Sequence, residues 1–358
     1  MAFSLGATGT DLATRRHLDD HGTITLTGAL RAMKSLDFKL AHIHADPASA
    51  RDFILADAKD ADMAWGLAAT GVDLASGHPR SLADYRDQMR EIVRQGLVDI
   101  MLMSVSTSEL LTVQEGLFEG SEVTPAVRAN DSTDIHLVGG GAYAEGPSLP
   151  FRTATVAQAL GAGGADLGLY SITLNNDAAL DRATLEAYRG FRLEAEPQGL
   201  RHFLEVFDPN APGARRPSDV GRFLNDSIAR ALAGVPRGAR PLFLKMPYHG
   251  PRAMEELTSY DPHLVPGVLG GSSGTTHDAF FLLQEARRHG ARAALFGRKI
   301  NASEHQLTFV RYLRVIADGE LAAADAVRAY HADLARLGIK PRLPLSDDLE
   351  LTETQHHA

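Results

Sequence analysis

Eight short apolar runs, separated by stretches of helical period, constrain this chain more than any other feature. The runs lie at 38–46 (FKLAHIHAD), 99–105 (DIMLMSV), 123–129 (VTPAVRA), 165–174 (ADLGLYSITL), 201–208 (RHFLEVFD), 241–247 (PLFLKMP), 263–271 (HLVPGVLGG) and 292–300 (RAALFGRKI). Between them 82–97, 219–234, 276–290 and 303–319 carry the i, i+3, i+4 spacing of amphipathic helices. Several of these stretches close on glycine (Gly96, Gly290, Gly319), as helix C-termini do. Strands that are apolar rather than alternating are covered on both faces, which means a parallel sheet under helices. Eight such units over roughly 280 residues fit a closed (β/α)8 barrel. An open doubly wound sheet would place its glycine-rich turn after the first strand. Here the glycine clusters follow the seventh and eighth runs instead.

On this reading residues 1–345 form one α/β barrel domain. Residues 47–81 are expected as an insertion in the first βα loop, helical over SARDFILADAKDA. Residues 136–150 are expected as a mobile loop, and 346–358 as an acidic tail with a disordered end. At 44% hydrophobic and 23% charged residues, a chain of 358 can bury a large core. A net charge of −9 argues against a nucleic-acid partner but leaves room for a small basic pocket. No apolar run is long enough for a membrane-spanning helix. The first residues pair no basic segment with an apolar one, so no signal peptide is expected. The absence of cysteine removes thiolate metal sites and thiol nucleophiles and fits a cytoplasmic location.

Catalytic groups of such a barrel sit at the C-terminal ends of the strands. Only six of the 36 basic residues are lysines, so Lys245 inside the apolar run PLFLKMP demands a reason. If Leu242 and Leu244 face the helices, Phe243 and Lys245 point into the barrel. Burial there disfavours the ammonium and favours a free amine that attacks carbonyls. Glu205, on the neighbouring fifth run, is placed to move protons for that amine or simply to pair with it. Asp208 stands at the mouth of the same run. After the seventh run, Gly270, Gly271, Ser272 and Ser273 precede a Thr-Thr helix start whose N–H groups suit a phosphate. Gly297 and Arg298 after the eighth run add close approach and a bidentate donor.

The first run puts His42, His44 and Asp46 on one face. H-x-H suits a divalent metal such as zinc; alternatively Asp46 handles a substrate hydroxyl or a proton while His44 hydrogen-bonds the substrate. Arg128, near Asn130 and Asp131 on the third run, suits a carboxylate, phosphate or sugar hydroxyl, or an ion pair with Asp131. Tyr170, Ser171 and Thr173 are candidate hydroxyl partners. Of the other lysines, Lys39 is expected to face the helices and Lys299 to contact phosphate or solvent.

Lysine on the sixth strand, glutamate on the fifth, a glycine-rich seventh loop and a G-R turn on the eighth resemble class I aldolases. The resemblance is to the superfamily of deoxyribose-phosphate, tagatose-bisphosphate and archaeal-type fructose-bisphosphate aldolases. FLKMP resembles the strand of its Schiff-base lysine, and FLEVFD the L-E-x-x-x-D strand of the tagatose-bisphosphate branch. FGRKI resembles its G-R-N-I phosphate turn, with Lys299 where Asn would stand, and Asp46 resembles the aspartate ending its first strand. It covers roughly residues 38–318 by order and placement. It implies a lyase in carbohydrate metabolism that cleaves or forms a C–C bond in a phosphorylated ketose or related sugar, through a Schiff base at Lys245. No cofactor and no metal are implied. The partner is a small sugar phosphate, with no nucleic acid or membrane, and a homo-oligomer is compatible with it. Two rivals remain open: a metal-dependent barrel hydrolase built on His42, His44 and His249, and a non-catalytic sugar-phosphate-binding barrel.

Overall fold

The computed structural model describes residues 33–73, 76–135, 137–213, 216–271 and 274–352. Eight parallel strands form the barrel: β1 (Ile54–Ala58), β2 (Ile100–Met103), β3 (Thr124–Arg128), β4 (Leu167–Thr173), β5 (Arg201–Phe207), β6 (Leu244–Lys245), β7 (Gly267–Leu269) and β8 (Ala293–Phe296). Each pairs with its neighbour in sequence, and β1 pairs with β8. The ring closes between β6 and β7 through Leu244 N–H donating to Val265 O at 3.1 Å and Met246 N–H to Gly267 O at 3.0 Å. The expected barrel is therefore present from residue 33 onward; residues 1–32 lie outside the described residues.

The core has two layers. Inside the ring, Ile54, Ile100, Leu102, Leu167, Leu169, Phe203 and Phe243 interlock, with Phe203 and Phe243 stacked at 4.6 Å. Outside it, the apolar faces of helices cover the strands, as where Met89 and Ile92 of α2 (Leu82–Gln95) join the cluster containing Leu55 and Met101. The sequence around α2 accounts for its ends: Ser81 and Asp84 form a capping box, and Gly96 leaves the helix at φ 71°. Three later helices matter below: α3 (Thr276–Arg288), the short α4 (Arg298–Ala302) and α5 (Gln306–Asp318).

The first expected strand is not a strand. Residues 38–46 belong to α1 (Ser35–Ala45), whose buried Leu36, Leu40 and Ile43 recur at i, i+4 and i+7 and enter the interior cluster. Lys34 donates to Phe118 O, Ser121 O and Val123 O, while Lys39 donates to Phe53 O and Asp99. These partners precede β3, β1 and β2, so α1 plugs the N-terminal mouth of the barrel. The true β1 falls inside the segment expected as a helical insertion. Its apolar core ILADA is buried between β8 and β2, and the connection to α2 runs from 59 to 81.

Two further segments are placed by specific hydrogen bonds. Near the end of the loop expected as mobile, Ser148 Oγ donates to Asp134 at 2.7 Å and Ser148 N–H to Asn175 Oδ1 at 2.8 Å. The tail does not simply trail away. Its start forms a one-turn helix, α6 (Leu345–Asp348), and docks on the N-terminus of α3. There Thr276 N–H donates to Asp348 Oδ1 at 2.6 Å, His331 Nε2 lies 2.8 Å from Asp348 Oδ2, and Thr352 N–H donates to Asp278. Residues 353–358 lie outside the described residues. Among the described residues no helix is long and apolar enough to cross a membrane.

Candidate active site

Lateral register in a parallel sheet places Glu205 beside Lys245, and Ser171 beside Glu205. All three side chains point inward, one layer above the Phe203–Phe243 stack. Lys245 Nζ lies 2.5 Å from Glu205 Oε1, and both residues are buried. The other carboxylate oxygen accepts from Ser171 Oγ at 2.5 Å and faces Arg128 Nη2 at 3.5 Å. Arg128 also donates to Ser171 Oγ at 3.0 Å and to Asp60 Oδ2 at 2.5 Å. Asn130 fixes the backbone of this row, exchanging hydrogen bonds with Ser171 N–H and O. Glu205 is thus held by two donors, Ser171 and Arg128, and is aimed at one amine.

Above this row opens a cavity of about 170 Å³. Asp60, Tyr85, Arg128, Glu205, Lys245, Arg298 and Asn301 supply its polar lining; Trp65, Ile135, Leu137, Phe207, Leu269 and Leu295 supply much of the rest. Gly270, Gly271 and Gly297 form one edge. Two of these glycines are dictated by space. A Cβ on Gly297 would stand 2.4 Å from Ala58 O, and one on Gly270 would enter the Phe296 ring. Arg298 lays its guanidinium over the Trp65 indole at 5.3 Å. Burial draws its pKa below the ordinary arginine value, with Glu205 opposing. Burial also works against the charge on Arg128, but Asp60, Glu205 and Asp131 outweigh it and hold its pKa above the ordinary value. Asp131 has the opposite fate: burial pushes its carboxyl up to about 6, with Arg128 opposing.

Several expected site residues stand elsewhere. Asp46 is exposed at the end of α1, accepting from Ser49 N–H and Oγ. His44 Nδ1 lies 3.2 Å from His263 Nδ1, and His42 is 3.5 Å from Asp52. All belong to the plug at the N-terminal mouth, because helical packing of Leu36, Leu40 and Ile43 overrides the local alternation. Among the described residues no group of three or more His, Asp or Glu could hold a metal ion. His249 and Asp208 pair at 2.8 Å outside the cavity lining. Tyr170 faces the helices, stacked on Phe191, and Thr173 donates to Asp134. Lys39 lies on α1, and Lys299 donates to Gly274 O.

The phosphate cradle also differs from expectation. Ser272 and Ser273 lie outside the described residues. At the start of α3, Thr275 N–H donates to Asp278 and Thr276 N–H to Asp348, so carboxylates of the chain itself occupy that positive helix end. Gly270, Gly271, Gly297 and Arg298 keep their places on the cavity wall.

Sequence reasoning missed Asp60, Trp65 and Lys59. The signal was FILADAKD, an apolar run ending in charge, hidden by its alanines. Asp60 contributes the carboxylate at the end of the first strand that Asp46 does not. Lys59 is fully buried beneath it on the helix side, 2.9 Å from Gln306 Oε1 and 3.3 Å from Asp57. Gln306 in turn reaches Asn301 at the cavity edge.

Fold and site together define a (β/α)8 barrel with a buried lysine–glutamate pair at the floor of its C-terminal cavity. Solved structures of similar fold include an archaeal fructose 1,6-bisphosphate aldolase, at TM-score 0.59 and 16% identity over 79% of this chain and 99% of that one. An archaeal fructose-1,6-bisphosphate aldolase with its catalytic lysine covalently bound to the carbinolamine intermediate aligns at TM-score 0.59 and 16% identity, over 79% of this chain and 100% of that one. The fructose-bisphosphate aldolase of Slackia heliotrinireducens aligns at TM-score 0.57 and 14% identity, over 85% and 93%. No protein-family model and no curated protein sequence matches the chain.

Proposed function

We propose that this protein is a class I aldolase that cleaves or forms a C–C bond in a phosphorylated ketose or related sugar through a Schiff base on Lys245. The observation that carries the reading is the 2.5 Å approach of Lys245 Nζ to a fully held Glu205 at the floor of the cavity. Solved structures of the same fold include a Schiff-base-forming fructose-1,6-bisphosphate aldolase, which supports it.

In this reading the uncharged amine adds to the substrate carbonyl, and loss of water yields an iminium. Glu205 accepts the ammonium proton and returns one to the departing hydroxyl. In the cleavage direction the hydroxyl on the carbon beyond the broken bond gives its proton to a carboxylate, Asp60 or Glu205, and the aldehyde leaves. The bonding electron pair passes into the iminium to form an enamine. Protonation of the enamine carbon and hydrolysis then free the ketone and restore Lys245. Arg298, with the backbone at Gly270, Gly271 and Gly297, anchors the phosphate and so orients the reacting carbons.

The test is reductive trapping. The protein is incubated with dihydroxyacetone phosphate or a panel of ketose phosphates, borohydride is added, and the adduct is located by peptide mapping. An adduct on Lys245 that vanishes in Lys245→Met is the expected result. Adducts elsewhere, or none across the panel, reject the reading.

A further inference from the structure

We infer that Lys59 and Gln306 are positioning residues for the phosphate anchor. They fix the polarity of a hydrogen-bond chain that ties the helix of Arg298 to the segment following Trp65. This rests on the aldolase reading, in which Arg298 holds the phosphate, and deepens it.

The chain has four members. Lys59 Nζ donates to Gln306 Oε1 at 2.9 Å. Gln306 Nε2 donates to Asn301 Oδ1 at 3.3 Å and to Asn301 O at 3.5 Å. Asn301 Nδ2 donates to Ala69 O at 3.2 Å. An ammonium has only donors and a backbone carbonyl only accepts, so both ends of the chain are committed. Reversing either amide between them would set donor against donor or acceptor against acceptor. The first member is sealed in place: Lys59 is fully buried, 3.3 Å from Asp57 and over the Tyr85 ring at 5.9 Å. The last is closely wrapped, since a Cβ on Gly71, at φ 72°, would stand 3.1 Å from Asn301 Nδ2.

Arg298 needs such support. Among the described residues it makes no hydrogen bond or ion pair to a protein acceptor, and its guanidinium rests on the Trp65 indole. Its place is therefore set by the backbone of α4 on one side and by the Trp65 platform on the other. Asn301 shares α4 with Arg298, and Ala69 follows Trp65 in the connection to α2. The Asn301–Ala69 bond and the Arg298–Trp65 stack thus join the same two segments, and all four residues line the cavity. Holding both segments before a ligand arrives lowers the ordering cost of binding. Lys59 does not line the cavity, so its effect passes through Gln306 and Asn301.

The experiment follows Lys245 trapping over a range of concentrations of dihydroxyacetone phosphate and of dihydroxyacetone, which lacks the phosphate. Gln306→Glu keeps an acceptor for Lys59 and removes the donor to Asn301. Its half-saturating concentration of dihydroxyacetone phosphate is expected to rise about tenfold, with the maximal rate and the efficiency toward dihydroxyacetone within about twofold. Lys59→Met should show the same split. Arg298→Met should show it too, and adding Gln306→Glu to that variant should change the value by less than about twofold, because both act through one guanidinium. An unchanged half-saturating concentration in Gln306→Glu, or an equal loss with both compounds, overturns this inference while leaving the aldolase reading standing. Absence of any Lys245 adduct in the unaltered protein removes both.

Discussion

Glu205 Oε1 lies 2.5 Å from Lys245 Nζ, while its other oxygen is held by Ser171 and Arg128. A carboxylate so fixed keeps one oxygen facing the amine, where protons pass to and from the groups joined to Lys245. Glu205→Gln keeps the shape and removes the base. Its adduct-forming rate with dihydroxyacetone phosphate should fall ~100-fold or more, followed as borohydride-trapped mass over time. A rate within threefold of the unaltered protein would assign Glu205 a structural role only.

Arg128 joins two buried carboxylates, Asp60 and Glu205. Arg128→Met removes the shared cation and leaves both acids buried, with Glu205 keeping Lys245 and Ser171. Loss of one partner from such a network costs ~3–5 kcal/mol. Urea unfolding at neutral pH measures it, and a change below 1 kcal/mol would contradict the network's importance.

Asp131 titrates at about 6 in the folded protein, against an ordinary 3.8, because it is buried. The folded state therefore holds this proton more tightly than the unfolded chain. The stabilisation is full below the unfolded value and is lost as pH rises through 6. Asp131→Asn removes the titration. The unfolding free energy of the unaltered protein minus that of the variant should fall by ~3 kcal/mol at most between pH 4 and 7. A difference that stays flat or rises with pH would refute the burial account.

Asp348 caps the start of α3 through Thr276 N–H and ties it to His331. Asp348→Ala should destabilise the protein by ~1–2 kcal/mol in thermal or urea unfolding. Because Gly270 and Gly271 stand a few residues before α3 in the chain and line the cavity, the KM for dihydroxyacetone phosphate should rise more than kcat falls.

Asp46 and His44 sit at the plugged mouth, remote from the cavity. Asp46→Ala and His44→Ala should leave the rate of Lys245 trapping within twofold. Leu40→Ala, in the same helix but facing the core, should cost ~2–5 kcal/mol of stability. The reverse pattern would restore 38–46 to the catalytic face.

The strands from β2 to β8 could be read from the chain because each is continuously apolar and is followed by a helical stretch with recognisable ends. Lys245 and Glu205 were legible for the same reason. A charged residue inside such a run must face the barrel or the helices, and adjacent strands bring equivalent positions together. β1 was concealed because ILADA is poor in large β-branched residues, while HIHAD nearby alternates like a strand. Only three apolar side chains, Leu36, Leu40 and Ile43, give α1 its helical face, and their weight comes from the barrel floor they fill.

By itself, then, the sequence determined the barrel and the inward lysine, since periodicity and burial are local properties of a run. Tertiary structure decided which segment closes the floor, which carboxylate ends the first strand, and which backbone N–H groups remain for a ligand. Each depends on partners far apart in the chain: Lys39 on Asp99, Asp60 on Arg128, Thr276 on Asp348. No local pattern encodes such pairs. They are selected by the cost of burying a charge or a backbone N–H without a partner.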